Sequence, residues 1–315
     1  MKQLLLILLL VGFVELTYAQ SATNDTLSHT TWNFRQEFPK TINKKRLKTI
    51  VYTEGGMYVA GLAYMSLLWY KDSNWRGLTF FNDNTEWEQV DKFGHLYTSY
   101  QLGERGYYAL RWAGVPKGKA LLYGGTLGLI ALTPVEVLDG FTDDYGFSAP
   151  DMLANTIGTA LFIGQEALFD EQIIKVKWSY HFTDYPLLTP NQLGRTIPQR
   201  ILKDYNGHTY WFSANLYSAF GKQLNIPKWL CISVGYGAEG MWHKFFNPSG
   251  YQGIILPYAE RRPQYYLSVD VDLNKIPTRN RFLKKVFQQL NLLKIPAPAL
   301  EWNRADGLRF HPFYF

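Results

Sequence analysis

The sequence predicts a mainly α-helical, membrane-associated bundle followed by a smaller C-terminal region of mixed α/β structure. Three uncharged stretches, 55–70, 120–135 and 152–165, supply the helical part. Aromatic residues make up 17% of the chain and charged residues only 18%, against roughly 25% charged residues in ordinary soluble domains. Because tyrosine and tryptophan favour membrane–water interfaces, this composition favours contact with lipid, although carbohydrate-binding proteins share it.

The N-terminus predicts a cleaved signal peptide over residues 1–19. Lys2 precedes an apolar run, 4–14, and Ala19 stands where a signal peptidase requires a small residue. The run is too short to cross a bilayer permanently. The predicted localisation is therefore the bacterial cell envelope, membrane-associated, on the periplasmic side or in the outer membrane.

The cysteine content agrees with a bacterial envelope protein. Cys231 is the single cysteine, so the chain offers neither an internal disulfide nor a zinc-type cluster. Since no cysteine lies near the predicted cleavage site, a lipid anchor is not expected.

The net charge of +6 lies in the last part of the chain. From Arg261 onward there are 10 basic and 4 acidic residues, and 10 − 4 = +6. This basic region predicts contact with membrane lipid, through anionic headgroups, or with cell-wall glycan. Export excludes nucleic acid as a partner.

A helical domain is predicted over residues 47–172, after a polar lead-in at 20–46. Small residues recur at four-residue spacing, Gly56 with Ala60 and Gly124 with Gly128, which lets helices approach closely. Equally, these glycines are ordinary residues that weaken a buried helix. A further helix is predicted from about Glu88 to Trp112. The uncharged helices are either short membrane spans or core helices of a compact bundle.

The region 173–315 is predicted to be mixed. Tyr265–Leu273 alternates apolar and polar side chains and predicts a strand whose polar face is wet. Arg279–Leu293 predicts a basic amphipathic helix, which either packs on its own domain or lies on an anionic membrane surface. An outer-membrane barrel needs about eight strands, and the sequence supports only two to four.

Three pairs of polar residues have the spacing that places both members on one helix face. They are Asp91 with His95, Glu136 with Asp139, and Asp151 with Asn155, followed one turn later by Gly158. The last two pairs flank apolar stretches, where a carboxylate is costly unless it is paired, hydrogen-bonded or metal-bound.

These pairs predict either a reaction centre or a structural network. Asp91, His95, Glu136, Asp139 and Asp151 carry the ligand types of a divalent metal that could activate water. Without a metal, His95 and one of the carboxylates Asp91, Glu136 or Asp151 are candidates for general acid/base catalysis. In the structural alternative, Lys92 neutralises the acids, and Asn155 and Gly158 join helices.

The same residues resemble a known family. The motifs are DKFGH at 91–95, EVLDGF at 136–141 and FSAPD at 147–151, followed by Asn155 and Gly158. They resemble the YfiM-like family of uncharacterised bacterial envelope proteins, and their order is similar to that of VanZ-like membrane proteins. The resemblance covers residues 85–165 and implies a small helical, membrane-associated domain without implying a reaction. YfiM-like members are often described as lipoproteins, whereas this sequence lacks the lipobox cysteine.

Three functional hypotheses follow. The first is a non-enzymatic envelope protein that binds or maintains a lipid or cell-wall component. The second is a metal-assisted hydrolase or transferase acting on a lipid-linked or cell-wall substrate. The third is an outer-membrane barrel protein.

Overall fold

A computed structural model describes residues 38–70, 73–143, 145–221 and 225–315. The predicted signal peptide and most of the lead-in lie outside these residues. The described chain divides into two compact units, which we call the helical unit and the sheet unit. The helical unit contains residues 38–83 and 98–170, and the sheet unit contains residues 84–97 and 171–315. The domain boundaries predicted from the sequence stay predictions.

The helical unit consists of helices and one short two-stranded sheet. Its elements are α1 (Lys44–Trp69), β1 (Phe80–Phe81), most of α2 (Val90–Trp112), α3 (Lys117–Ala120), a π-helical turn (Leu121–Gly125), α4 (Leu127–Gly140), β2 (Phe147–Ser148) and α5 (Ala149–Phe169). Asn43 and Ser148 begin α1 and α5 as N-caps, because each side chain accepts a hydrogen bond from a backbone N–H three residues later. The helix predicted at 88–112 is confirmed, because α2 runs from Val90 to Trp112.

The core of the helical unit is apolar. Leu102, Leu132 and Val135 are buried together, and Met57 and Tyr58 of α1 pack against them. Hydrophobic burial of this kind is the usual source of stability in a helical domain.

Gly124 and Gly128, two of the small residues predicted to allow close helix packing, lie directly against the backbone of α2. A Cβ at Gly124 would lie 2.5 Å from the backbone of Gly106, and one at Gly128 would lie 2.2 Å from the carbonyl oxygen of Ser99. The same prediction is wrong at Gly56, where a Cβ would meet nothing within 4 Å. Small residues therefore serve close helix packing in α4 and in the turn before it.

The prediction of a mainly α-helical membrane bundle is wrong. In the described part of the chain, one helical stretch, Lys117–Gly140, is long and apolar enough to cross a membrane by length and composition. The C-terminal half instead forms a large antiparallel sheet.

Six strands build this sheet in the order β10-β9-β8-β5-β4-β3, with every neighbouring pair antiparallel. Their bounds are β3 (Ile174–Tyr180), β4 (His208–Asn215), β5 (Leu230–Glu239), β8 (Arg262–Val271), β9 (Ala297–Asn303) and β10 (Gly307–Tyr314). The predicted strand at 265–273 is confirmed as β8, but the sequence estimate of two to four strands is too low. The missed strands are shorter or contain glycine and proline, which weaken the strand pattern.

Short elements connect the strands. They are α6 (Tyr185–Leu188), α7 (Pro190–Leu193), α8 (Ile197–Lys203), α9 (Leu216–Phe220), the hairpin of β6 (Gly250–Tyr251) and β7 (Ile254–Ile255), and α10 (Arg281–Leu290). Two single 3₁₀ turns, Tyr205–Gly207 and Leu273–Lys275, precede β4 and follow β8. The predicted basic amphipathic helix is confirmed as α10.

Candidate functional site

The first two turns of α2 place Asp91 and His95 side by side in the sheet unit. Asp91 Oδ2 lies 3.8 Å from His95 Nε2 and 3.4 Å from Lys92 Nζ, and His95 is 1% exposed. Tyr205 donates a hydrogen bond of 2.7 Å to the other carboxylate oxygen. The spacing of four residues produces this pairing because one helical turn brings the two side chains onto the same face.

The electrostatics of Asp91 favour a carboxylate. Burial would raise its pKa, but Lys92 and His95 beside it, together with the hydrogen bond from Tyr205, hold the pKa well below its ordinary value. Asp91 is therefore an anion over the physiological pH range, with the charge and geometry of a cation ligand. The same contacts also fit the structural alternative, in which Lys92 neutralises the acid.

A neutral histidine lies behind this pair. His208 Nε2–H donates to the Ile201 carbonyl at 2.9 Å, while Nδ1 lies 3.3 Å from Trp178 Nε1 and 3.2 Å from Tyr210 Oη. Desolvation lowers the pKa of His208 to about 3. Both ring nitrogens of His208 have hydrogen-bond partners when Nε2 carries the proton. His208 therefore stays neutral near neutral pH and orients its aromatic neighbours.

The other two predicted pairs lie in the helical unit and are engaged differently. Asp139 Oδ1 accepts a 2.6 Å hydrogen bond from Tyr70, which joins α1 to α4. Burial, followed by the charges of Asp139 and Glu136, raises the pKa of Tyr70, so this phenol stays a donor. Glu136 is buried, and among the described residues neither Glu136 nor Asp139 belongs to a set of three side chains with metal-ligand spacing.

Asp151 and Asn155 occupy the buried face of α5. The Asp151 backbone N–H is capped by Ser148 Oγ at 3.0 Å, and this hydroxyl donates to Asp83 Oδ1 at 2.7 Å. Asn155 and Gly158 follow on the same buried face. The prediction that this pair shares one helix face is therefore confirmed, and its role stays a prediction.

The largest unpredicted feature is the inverted polarity of the six-stranded sheet. On β8, Tyr265, Leu267 and Val269 are 48%, 49% and 48% exposed, whereas Ser268 and Asp270 are buried. The prediction that the polar face of this strand is wet is therefore wrong. The sheet buries its polar face, which we call the inner face, and exposes its apolar face, which we call the outer face.

Ion pairs and hydrogen bonds satisfy the buried carboxylates of the inner face. Asp270 lies 2.8 Å from Lys177 Nζ, 3.9 Å from Lys294 Nζ and 2.6 Å from Ser213 Oγ. Further along, Glu301 lies 2.7 Å from His311 Nε2. Buried polar groups are tolerated when they are hydrogen-bonded and paired, and these groups are.

The inner face is also closed across the sheet. Tyr314 of β10 lies 3.1 Å from Thr209 Oγ1 of β4, although three strands separate β10 from β4 in the sheet order. Its ring lies 4.5 Å from that of Tyr266. The strands therefore curl around a polar and aromatic interior.

The outer face is a continuous apolar surface. Its central row crosses five strands in register: Phe212, Val234, Leu267, Leu300 and Phe310. A second row contains Tyr236, Tyr265, Trp302 and Leu308. Over β4 and β5 the face is partly covered, because Phe93 of α2 stacks on Tyr236 at 4.6 Å and contacts Phe212 at 6.3 Å. From β8 to β10 its large apolar side chains are exposed.

A shallow apolar groove of about 250 Å³ runs across this face. It is lined by Ile232, Leu267, Val269, Pro298, Leu300 and Phe310, together with Ser268 and Ala299. One sequence signal points to the same surface: the segment Leu300-Glu-Trp-Asn303 alternates apolar and polar residues with the phase of β8.

Comparison with known proteins finds one family. Residues 78–164 match the sequence model of a family described as "Predicted periplasmic lipoprotein (DUF2279)". The match contains all three polar pairs and covers less than a third of the 315 residues, and all six strands of the large sheet lie outside it. No curated protein and no solved structure matches the chain.

The family match supports part of the sequence resemblance. It supports an uncharacterised family of bacterial envelope proteins, while the YfiM-like and VanZ-like names stay unconfirmed. The predicted localisation is confirmed: the protein belongs to the cell envelope, membrane-associated and on the periplasmic side. Cys231 is buried in β5, so this cysteine is not placed for lipid attachment.

Proposed function

We propose that this envelope protein binds membrane lipid through the outer face of its six-stranded sheet. The observation that carries the proposal is the inverted polarity of the sheet, whose polar side chains are buried and whose apolar side chains are exposed. In water such a surface is unfavourable, because each exposed apolar side chain forgoes its transfer free energy. In contact with acyl chains the same surface is stabilised.

The size and composition of the outer face support lipid as the occupant. Soluble proteins rarely expose large contiguous apolar patches without a binding role. Tyr265 and Trp302 on this face belong to the residue types that favour the boundary between acyl chains and water. The groove along Leu267, Leu300 and Phe310 offers an acyl chain an apolar surface.

Vesicle flotation tests the proposal. We expect the exported full chain to float with phosphatidylcholine vesicles, and the triple variant Leu267→Thr, Leu300→Thr, Phe310→Thr to lose at least about tenfold in partitioning, because three exposed apolar contacts are removed. Threonine favours strands, so the sheet should persist. Circular dichroism checks this.

A matched control separates this face from apolar exposure in general. The variant Leu153→Thr, Leu168→Thr, Phe169→Thr removes three exposed apolar side chains from α5 in the helical unit. It should float like the unmodified protein. A wild-type protein that stays in the dense fraction, or equal losses in both variants, would contradict the proposal.

A second candidate function is metal-assisted hydrolysis or transfer on a lipid-linked or cell-wall substrate. The observation that favours it is the buried pair of Asp91 and His95, an anion and an imidazole at 3.8 Å. A carboxylate and an imidazole suit a borderline divalent cation, which would lower the pKa of a bound water. As a proposal from the sequence motifs, Asp151 supplies the third ligand.

Elemental mass spectrometry tests this candidate. A chelator-free preparation without a histidine tag should contain about one divalent metal per chain, and His95→Ala and Asp151→Asn should each lose it. Asp143→Asn provides a matched control, because Asp143 is an exposed carboxylate bonded to Asn74. A metal-free wild type with variants that melt earlier would assign these residues a structural role.

A further inference from the structure

The helix α10 is firmly attached to the sheet at its C-terminal end. Asn291, which follows the helix, donates to Asp272 Oδ1 at 2.9 Å and accepts from the Leu273 N–H at 2.9 Å. At the start of the helix, Asn280 Oδ1 accepts hydrogen bonds from the N–H groups of Phe282 and Leu283. Both ends of α10 are therefore defined, and its orientation relative to the end of β8 is fixed.

The apolar side of α10 is largely uncovered. Phe282 is 75% exposed, Leu283 and Leu290 are exposed, and Val286 and Phe287 are half-buried. An amphipathic helix that packs on its own domain buries this stripe. The apolar stripe of α10 is thus exposed for contact with another apolar surface.

The charged residues in the segment that contains α10, 273–300, all have one sign. Basic residues stand at Arg279, Arg281, Lys284 and Lys285, and the sequence contains no acidic residue between Asp272 and Glu301. Arg279 and Lys284 are exposed, and Lys285 is partly so. A row of cations beside an exposed apolar stripe is complementary to an anionic membrane surface, which presents phosphates above acyl chains.

We infer that α10 lies in the plane of a membrane and binds anionic phospholipid headgroups. Phe282, Leu283 and Leu290 enter the boundary of the acyl chains, while Lys284 and Lys285 face the phosphates. The inference rests on the proposed lipid binding by the outer face and deepens it, because it names the lipid class. The two surfaces would act together: the sheet supplies affinity for any bilayer, and α10 supplies preference for negative charge.

Binding to two kinds of vesicle tests this inference. We expect the full chain to bind vesicles of 70% phosphatidylcholine and 30% phosphatidylglycerol more tightly than pure phosphatidylcholine, with the difference disappearing at high salt. In the variant Lys284→Gln, Lys285→Gln, affinity for the anionic vesicles should fall about thirtyfold, at about fivefold per charge. Affinity for neutral vesicles should not change.

Two further variants locate the effect on α10. Phe282→Ser should weaken binding to the anionic vesicles without unfolding the protein, since the side chain is already exposed. Arg304→Gln, Arg309→Gln removes the same formal charge from two exposed side chains of the β9–β10 hairpin, of which Arg309 pairs with Asp306, and should retain the preference for anionic vesicles.

The outcomes separate this inference from the proposed function. Absence of binding to either vesicle overturns the proposed function and the inference with it. Equal binding to both vesicles, or an equal loss of preference in the Arg304/Arg309 control, overturns the inference and leaves lipid binding by the sheet in place. Self-association that shields Phe282, or binding to phosphate-rich glycan in place of vesicles, also overturns it.

Discussion

The helical unit and the sheet unit use the same residue types in opposite ways. In the helical unit, Leu102, Leu132 and Val135 form the interior. In the sheet unit, Lys177, Asp270 and Glu301 lie inside, and Leu267 and Phe310 lie outside. The comparison shows that the interior of one protein can be stabilised either by apolar burial or by polar groups, provided that few of those groups are left without hydrogen bonds.

The two units also differ in what limits their packing. Glycines set the closest approach of helices in the helical unit, because a backbone carbonyl occupies the space of a side chain. In the sheet unit the limiting contacts are ion pairs, whose Coulomb gain must offset the desolvation of both charges. Each difference predicts a distinct response to substitution.

The largest effect is expected at the centre of the polar interior. Asp270→Ala should lower the free energy of unfolding by about 3–5 kcal/mol, because it leaves Lys177 and Lys294 as buried cations without their carboxylate. Asp306→Ala removes a partly exposed carboxylate that pairs with Arg262 and Arg309, and should cost less than about 1 kcal/mol. Urea unfolding followed by circular dichroism compares them, and similar values would refute a stabilising polar interior.

An intermediate effect is expected where helices touch. Gly128→Ala should destabilise the protein by about 1–3 kcal/mol, because the new Cβ would lie 2.2 Å from the Ser99 carbonyl oxygen and the helices must separate. Gly164→Ala makes the same change in α5, where nothing lies within 4 Å, and should stabilise by up to about 1 kcal/mol. Thermal unfolding measures both, and a neutral Gly128→Ala would mean that this contact is not tight.

The smallest effect concerns pH. Desolvation, only partly offset by Asp270, lowers the pKa of Lys294 to about 8, below the ordinary value of 10.5. Between these values the unfolded chain binds the extra proton, so stability rises as the pH rises. We expect about 1 kcal/mol more stability at pH 9 than at pH 7, and a flat profile in Lys294→Met. A wild-type profile that falls over this range would show that Lys294 keeps its proton.

Much of the local structure was predictable. The predicted start of α2 differs from the observed start by only two residues, and the predicted end at Trp112 agrees with the observed end. This helix was predictable because the 3.6-residue period is a local signal. The strand β8 and the helix α10 were found by the same reasoning. The pairing of Asp91 with His95 was also predictable, because helical geometry alone fixes contacts over four residues.

The partners of these residues were not predictable. Tyr205 reaches Asp91 across 114 positions of sequence, and Trp178 reaches His208 across 30. Such contacts depend on how strands pair, and strand order carries no local signal. For the same reason the sequence identified Glu136 and Asp139 as candidate ligands, whereas Asp139 accepts a hydrogen bond from Tyr70, the residue that follows α1.

The sequence alone determined export, the envelope compartment, the helices of the first half and the alternation of β8. Local periodicity and composition are sufficient for these, because they reflect the conformations of neighbouring residues. Only the tertiary structure decided which face of the sheet is buried. A period of two fixes that apolar and polar side chains lie on opposite faces, but it is equally satisfied by either orientation. The polar face is the buried one because Asp270 finds its partners there. These partners, Lys177, Ser213 and Lys294, come from distant segments of the chain.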